Sequence, residues 1–409
     1  MNEPIFIVGV PRSGTTLLAA MLAAHSRISC GPETHFFRKL AQVDAATLAD
    51  PQSWPELAAD FVCSISHAGF MGHEQTLLIH EYGLERGDIE AFLAGTTPSI
   101  AAMLSGLTEQ HMRHSGKARW TEKTPDHLKN LSLIRQTFPD ARIVRIIRDP
   151  RDVALSLTRV PWGAQTYVEG LLYWRRMHEA GEPFLVADPS SYSLRFEDLL
   201  AEPADTLRDL CTFLEEDFEE GMLDTSSTGK QVNSQSVPWK QKASEPIDTG
   251  RMYAWRKETT ASQNQLAEAL VGDWLTAYDY PREARFTRLG EIHPDTIPIA
   301  EYASALESVA ASGIRFWSEY SGERPSARIY LGDPGNSAWL STDKPARLRD
   351  TLAISTEIFR TSLTDGQVFW LREAEPGRWT GYLAEMLKRI LASRSVTICG
   401  GQNHADIAA

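Results

Sequence analysis

The run Ile5-Phe6-Ile7-Val8-Gly9-Val10-Pro11-Arg12-Ser13-Gly14-Thr15-Thr16 constrains the fold of this chain more than any other segment. Its four leading apolar residues read as a buried strand, and the Ala- and Leu-rich stretch Thr15 to Ala24 reads as a helix. Between them two glycines frame four residues. In a loop of that kind the backbone N–H groups point at an anion lying on the positive end of the helix dipole. The NTPase form of the loop carries a lysine after its second glycine, which reaches the β- and γ-phosphates. Here that position is Thr15, and the basic group is Arg12, inside the loop. The expected ligand therefore has a shorter phosphate chain.

A second anion site is predicted at the end of the strongest strand pattern, Ala141 to Ile147, which runs into Arg148-Asp149-Pro150-Arg151-Asp152 and a helix. Ligands of open parallel sheets bind at the carboxyl ends of strands. Arg148 leaves the sheet there and Ser156 follows on the helix, so the two can converge on one phosphate. The structural alternative is that Arg148 and Arg151 pair with Asp149 and Asp152 as surface ion pairs.

Further strands are expected at Ala118 to Trp120 and Tyr192 to Phe196, and helices at His127 to Phe138, Pro203 to Leu214 and Ala261 to Tyr278. Strands alternating with helices predict an α/β fold with a P-loop-type, mainly parallel sheet flanked by helices. Residues from about 44 to 115, punctuated by Pro51, Pro55, Gly69 and Gly95, read as an all-helical insertion. The first domain is expected over residues 1–284. A smaller C-terminal α/β or α+β lobe is expected over 285–409, with helices at Ile299 to Ala311, Lys344 to Arg360 and Tyr382 to Ala392, and strands at Ala327 to Leu331 and Ser395 to Cys399.

The 409 residues carry a formal net charge of -13. Nucleic-acid and anionic-membrane surfaces need an excess of Lys and Arg, so neither is an expected partner. Cys30, Cys63, Cys211 and Cys399 form no CxxC pair, and no metal site is predicted. The first residues lack the basic and apolar regions of a signal peptide, and no apolar run reaches the roughly 20 residues of a membrane helix. A cytoplasmic protein is expected.

With Pro11 to Thr16 and Arg148 to Ser156 both in place, the sequence resembles the sulfotransferases that use 3′-phosphoadenosine 5′-phosphosulfate (PAPS). Pro11 to Thr16 corresponds to their 5′-phosphosulfate loop, which implies Arg12, Ser13, Gly14, Thr15 and Thr16 as donor-binding residues. The Arg148 to Ser156 segment corresponds to their 3′-phosphate motif, with Arg148 and Ser156 as the implied ligands. Phe6 to Leu17, with Gly31-Pro32-Glu33-Thr34 downstream, is most similar to the tyrosylprotein sulfotransferases and their uncharacterised bacterial relatives. Glu122-Lys123-Thr124-Pro125, Arg195 to Leu199 and Trp255-Arg256-Lys257 also have counterparts in the wider family. The resemblance spans Ile5 to Pro281. It departs from the tyrosylprotein enzymes at Pro32, where they carry a second Glu, at His35, where they carry Arg, and at Glu122 to Pro125, where they read Asn-Lys-Asp-Pro.

What the resemblance implies is transfer of a sulfuryl group from PAPS, without a metal, to a hydroxyl of a small-molecule, carbohydrate or natural-product acceptor. Peptidyl tyrosine is the alternative acceptor, and a P-loop nucleotide-binding protein or kinase without sulfotransfer is the alternative of another class. The oligomeric state stays open. Sulfuryl transfer resembles phosphoryl transfer through a loose transition state, so it needs positioning and charge stabilisation. Arg12, the backbone from Ser13 to Thr16 and Lys123 are the candidates for that stabilisation. Glu33 is the leading candidate for the base that takes the acceptor proton, and His35, two residues on, is the runner-up. Ser244, Arg256 and Lys257 are further candidates beside Arg148 and Ser156 at the 3′-phosphate. Acceptor contacts are expected from the helical insertion and the C-terminal lobe.

Overall fold

The computed structural model describes residues 3–67, 76–160, 162–164, 167–233, 244–259 and 261–282, and the strand segments 315–319, 328–332, 368–371, 397–400 and 405–407. It forms two compact units, residues 1–148 with 176–252, and residues 149–175 with 253–409. The first unit is built on β1 (Ile5–Val8), β2 (Ile28–Cys30), β5 (Arg119–Lys123), β6 (Arg142–Ile147) and β7 (Ser191–Arg195), with a small separate hairpin of β3 (Ser66–His67) and β4 (Thr76–Leu77). The five sheet strands lie in the order β2-β5-β1-β6-β7, and every adjacent pair is parallel. All carboxyl ends therefore meet at one edge, which is where such sheets bind ligands. Gly9, Gly31, Thr124, Arg148 and Phe196 follow the five strands there.

Local sequence explains the central elements. All four residues of β1 are buried, as the continuous apolar run of a strand covered on both faces requires. The helix Thr15–Ala24 buries eight of its ten residues. Its leucines join Ile5, Ile7, Leu207, Leu210 and Leu214 in one core, which fixes the helix Pro203–Leu214 against the same sheet face.

Elsewhere tertiary pairing overrides the pattern. β5 runs on to Lys123, beyond the expected end at Trp120, although Arg119, Glu122 and Lys123 are charged and buried. Each finds a partner: Arg119 donates to the carbonyls of Glu3 (2.6 Å) and Leu214 (2.5 Å) and lies 3.3 Å from a Glu216 oxygen. Trp120, on the alternate face, packs edge-on against Phe6 and Phe138. The helix expected over His127 to Phe138 is divided into a 3-10 turn, Pro125–Lys129, and an α-helix, Leu131–Thr137. The insertion holds helices Ala45–Leu48, Glu56–Ser64, Leu78–Glu81, Arg86–Ala94 and Ile100–His114, but the hairpin of β3 and β4 makes it not all-helical. A helix over Tyr167–Ala187, for which the sequence reading had no expectation, carries Pro183 inside it, a residue that breaks the helical pattern.

In the second unit the helix Pro150–Leu157 is capped by Asp149, whose carboxylate accepts from the Arg151 N–H at 2.9 Å. Asp149 also accepts from the Arg151 guanidinium (2.9 and 2.7 Å) and from the Trp255 indole N–H (3.0 Å). Asp152 accepts from the Trp255 backbone N–H at 2.9 Å. This group is buried, so the surface ion pairs weighed for Asp149, Arg151 and Asp152 are instead a core that holds Trp255. Beyond Arg282, Arg315–Glu319 pairs antiparallel with Arg328–Gly332, and Thr397–Gly400 lies between a parallel Val368–Leu371 and an antiparallel Ala405–Ile407. The boundary after residue 284 and the three helices expected past it lie outside the described residues. Among the described residues no helix is long and apolar enough to cross a membrane.

Candidate active site

The loop between β1 and its helix is shaped by two left-handed residues, Arg12 (φ 77°) and Gly14 (φ 98°), with the Ser13 N–H turned back to the Val10 carbonyl at 3.1 Å. Gly14 is required twice over, by that φ and because a Cβ would lie 2.3 Å from a Phe196 ring carbon. Ser13 is fully buried, and its hydroxyl has no hydrogen-bond partner among the described residues. A buried hydroxyl in a loop at a helix N-terminus fits a ligand oxygen, such as that of a phosphate or sulfate.

Three guanidiniums meet beside this loop. Arg148 leaves β6 and lies over the Phe196 ring, 4.6 Å from its centroid, donating to the carbonyls of Arg12 (3.2 Å) and Arg251 (2.9 Å). Arg251 lies 5.3 Å over the same ring. Burial, then the charges of Arg148 and Arg251, push Arg12 down to about 10, against an opposing pull from Glu33. Burial and Arg148 also lower Arg251, outweighing Asp248 and Glu245. Cations that depress one another in a partly buried place suit an anion, whose charge would offset theirs. Arg251 was missed by sequence reasoning. It follows a stretch with no periodicity, and only its approach to Arg148 in space reveals it.

On the other side of the loop Lys123, fully buried at the end of β5, donates to Glu33 Oε1 at 2.6 Å and lies 3.4 Å from the Thr16 hydroxyl. Strand register puts Lys123 beside Ile7, on the face covered by the helix Thr15–Ala24, which is why it reaches Thr16. His35 Nε2 lies 3.5 Å from Glu33 Oε2. His35 is left-handed (φ 49°) at the head of the helix Phe36–Leu40. Thr16, Glu33, His35 and Lys123 are thus brought together, with Arg12 near enough to feel the Glu33 charge and its carbonyl held by Arg148.

Glu122, one residue before Lys123, faces the other way and ties the Glu33 segment down. Its Oε1 accepts from the Thr34 hydroxyl (2.7 Å) and N–H (3.3 Å) and from the Thr124 hydroxyl (2.7 Å), while its Oε2 lies 2.8 Å from His127 Nδ1. Burial pushes the Glu122 carboxyl up, but His127 and the two hydroxyls outweigh it and hold it below the usual carboxylate range. A depressed carboxyl contributes stability above its unfolded pKa and loses it as pH falls through the folded one. Glu122→Gln is therefore expected to cost about 1–3 kcal/mol at neutral pH, a cost that shrinks only as pH falls below the usual carboxylate range, as read by denaturant unfolding at several pH values.

The remaining candidates are distributed over both units. Ser244 is half-buried in the first unit. Ser156, half-buried, and Arg256 and Lys257, both exposed, belong to the second, where Arg256 lies over the rings of Tyr253 (5.2 Å) and Trp255 (5.6 Å).

A family model described as "Sulfotransferase family" matches residues 4–220. Protein-tyrosine sulfotransferase 1 of Danio rerio is 28% identical over 228 residues, 54% of this chain and 55% of that protein. Its counterpart in Homo sapiens is 29% identical over 183 residues, 43% of this chain and 40% of that protein. An uncharacterized protein of Aquifex aeolicus is 24% identical over 271 residues, 63% of this chain and 31% of its own length. The chain thus spans from just under a third to just over half of the length of these relatives. Among solved structures, the sulfotransferase domain from the Synechococcus PCC 7002 olefin synthase is similar with a TM-score of 0.47 and 22% identity, over 69% of this chain and 98% of that one.

Proposed function

Since the chain belongs to the sulfotransferase family, we propose that it moves a sulfuryl group from PAPS to a hydroxyl of a small-molecule, carbohydrate or natural-product acceptor. The observation that carries this reading is the Lys123–Glu33 contact of 2.6 Å beside the phosphate loop. It joins a cation suited to a leaving phosphate to a carboxylate suited to a departing proton. In the proposed step the acceptor oxygen bonds to sulfur while the bond from sulfur to the bridging oxygen breaks. The electron pair of that bond stays on the phosphate, and the hydroxyl proton passes to Glu33. Arg12, the Ser13 hydroxyl and the loop N–H groups hold the 5′ end of the donor, and Lys123 stabilises the charge that grows on the leaving oxygen. Arg148 and Arg251 take the 3′-phosphate, which distinguishes PAPS from ATP.

The donor assignment is tested by calorimetric titration with 3′-phosphoadenosine 5′-phosphate (PAP) and with AMP. A charge-assisted hydrogen bond contributes about 1.5–3 kcal/mol, so wild type is expected to prefer PAP by roughly 10- to 100-fold. Arg148→Ala is expected to erase most of that preference, and Arg251→Ala to reduce it, with AMP affinity little changed. Equal affinity of wild type for both nucleotides would overturn the assignment. Peptidyl tyrosine as acceptor is a second reading, which the names of the curated relatives favour. The departures at Pro32 and His35 and the net charge of -13, which repels acidic peptides, weigh against it. PAP release with phenols, sugars, tyrosine peptides and lipid alcohols separates the two.

A further inference from the structure

We propose that Tyr82, in the insertion, is a positioning residue for Glu33, resting on the reading of Glu33 as the base. Glu33 sits in the five-residue link Gly31–His35 between β2 and the helix Phe36–Leu40, outside any regular element. Links of that kind move unless their backbone is tied down. This one is tied on both sides of the carboxylate. On the far side Thr34 is held by Glu122, as described above. On the near side the Tyr82 hydroxyl donates to the Pro32 carbonyl at 2.8 Å.

The Tyr82 anchor is itself held. The side chain is buried, and its ring presses on Gly31 so closely that a Cβ there would lie 2.4 Å from two ring carbons. The Tyr82 carbonyl lies 2.9 Å from His111 Nδ1, and the two rings meet edge to face with centroids 5.1 Å apart. A line of contacts thus runs from the helix Ile100–His114 through His111 and Tyr82 to Pro32, the residue before the base. Burial, followed by the charge of Glu122, raises the Tyr82 phenol well above its ordinary value, so it stays a donor throughout the pH range of the reaction. Phenylalanine would fill the same space without a hydroxyl to satisfy, so the hydroxyl's use is the Pro32 carbonyl. A general base works only within hydrogen-bond reach of its proton, and a shift of about 1 Å costs up to about 100-fold in rate.

Tyr82→Phe keeps the ring and removes the donor. Hydrogen exchange on the full-length chain is expected to quicken at the Glu33, Thr34 and His35 amides and to stay unchanged in β1 and β6. Turnover, followed as PAP release with PAPS and 4-nitrophenol, is expected to fall about 10-fold with KM for PAPS within about two-fold of wild type. Added to Glu33→Gln, the same change is expected to cost nothing more, because a residue that acts through the base has nothing left to position. Unchanged exchange in the link, or an equal loss in both backgrounds, overturns the proposal. Wild type that binds PAP but releases none from PAPS with 4-nitrophenol or any acceptor class above would instead sink the sulfotransfer reading. Exchange in Tyr82→Phe would then still decide whether Tyr82 holds the link.

Discussion

Lys123→Met is expected to lower turnover by about 1,000-fold and to reduce PAP affinity far less, because in the proposed step the ammonium acts chiefly as charge grows on the leaving phosphate. The same change leaves Glu33 buried without its closest cation, and breaking a buried ion pair on one side costs about 3–5 kcal/mol. A fall in melting temperature is therefore expected with the fall in rate, and the two must be told apart. Adding Glu33→Gln removes the stranded charge. The double variant is expected to recover most of the lost thermal stability and none of the lost turnover. Recovery of turnover along with stability would show that Lys123 serves the fold alone.

Glu33→Gln by itself is expected to slow turnover by about 100-fold or more while PAP affinity barely changes, since the amide keeps the shape and loses the basicity. The comparison that assigns the proton is with His35→Asn. Asparagine tolerates the left-handed backbone at this position, so the variant removes the imidazole without straining the head of the helix Phe36–Leu40. A base at Glu33 predicts only a modest loss in His35→Asn, in keeping with a histidine that borders one carboxylate oxygen. Near-normal turnover in Glu33→Gln with collapse in His35→Asn would transfer the role to the histidine.

How far the site was legible depends on whether its signal is local. The loop from Gly9 to Thr16 was legible because a strand, two framing glycines and a helix start are all specified by neighbours in sequence. The strand end singled out Arg148, but nothing local said whether it or Arg151 would be taken up in ion pairs with the neighbouring aspartates. The two arginines are three residues apart and chemically alike, yet Arg148 lies over Phe196 beside Arg12, whereas Arg151 is locked against Asp149 and Trp255. The strand expected to end at Trp120 runs on to Lys123 for a related reason. A run reading Arg-Trp-Thr-Glu-Lys has no apolar periodicity, and it is a buried strand only because distant residues supply hydrogen-bond or ionic partners to its charged groups.

The sequence by itself determined the parallel α/β plan and the position of the loop between the first strand and its helix, because hydrophobic runs, glycine turns and helix dipoles act over a few residues. Tertiary structure alone decided that Arg251 joins Arg12 and Arg148, that Lys123 binds Glu33 across 90 positions, and that Tyr82 grips the link 50 positions before it. Those contacts are made at a sheet edge where five separate strand ends converge. A buried charge is tolerated only where a partner arrives, and that arrival is a property of the folded chain that no local pattern encodes.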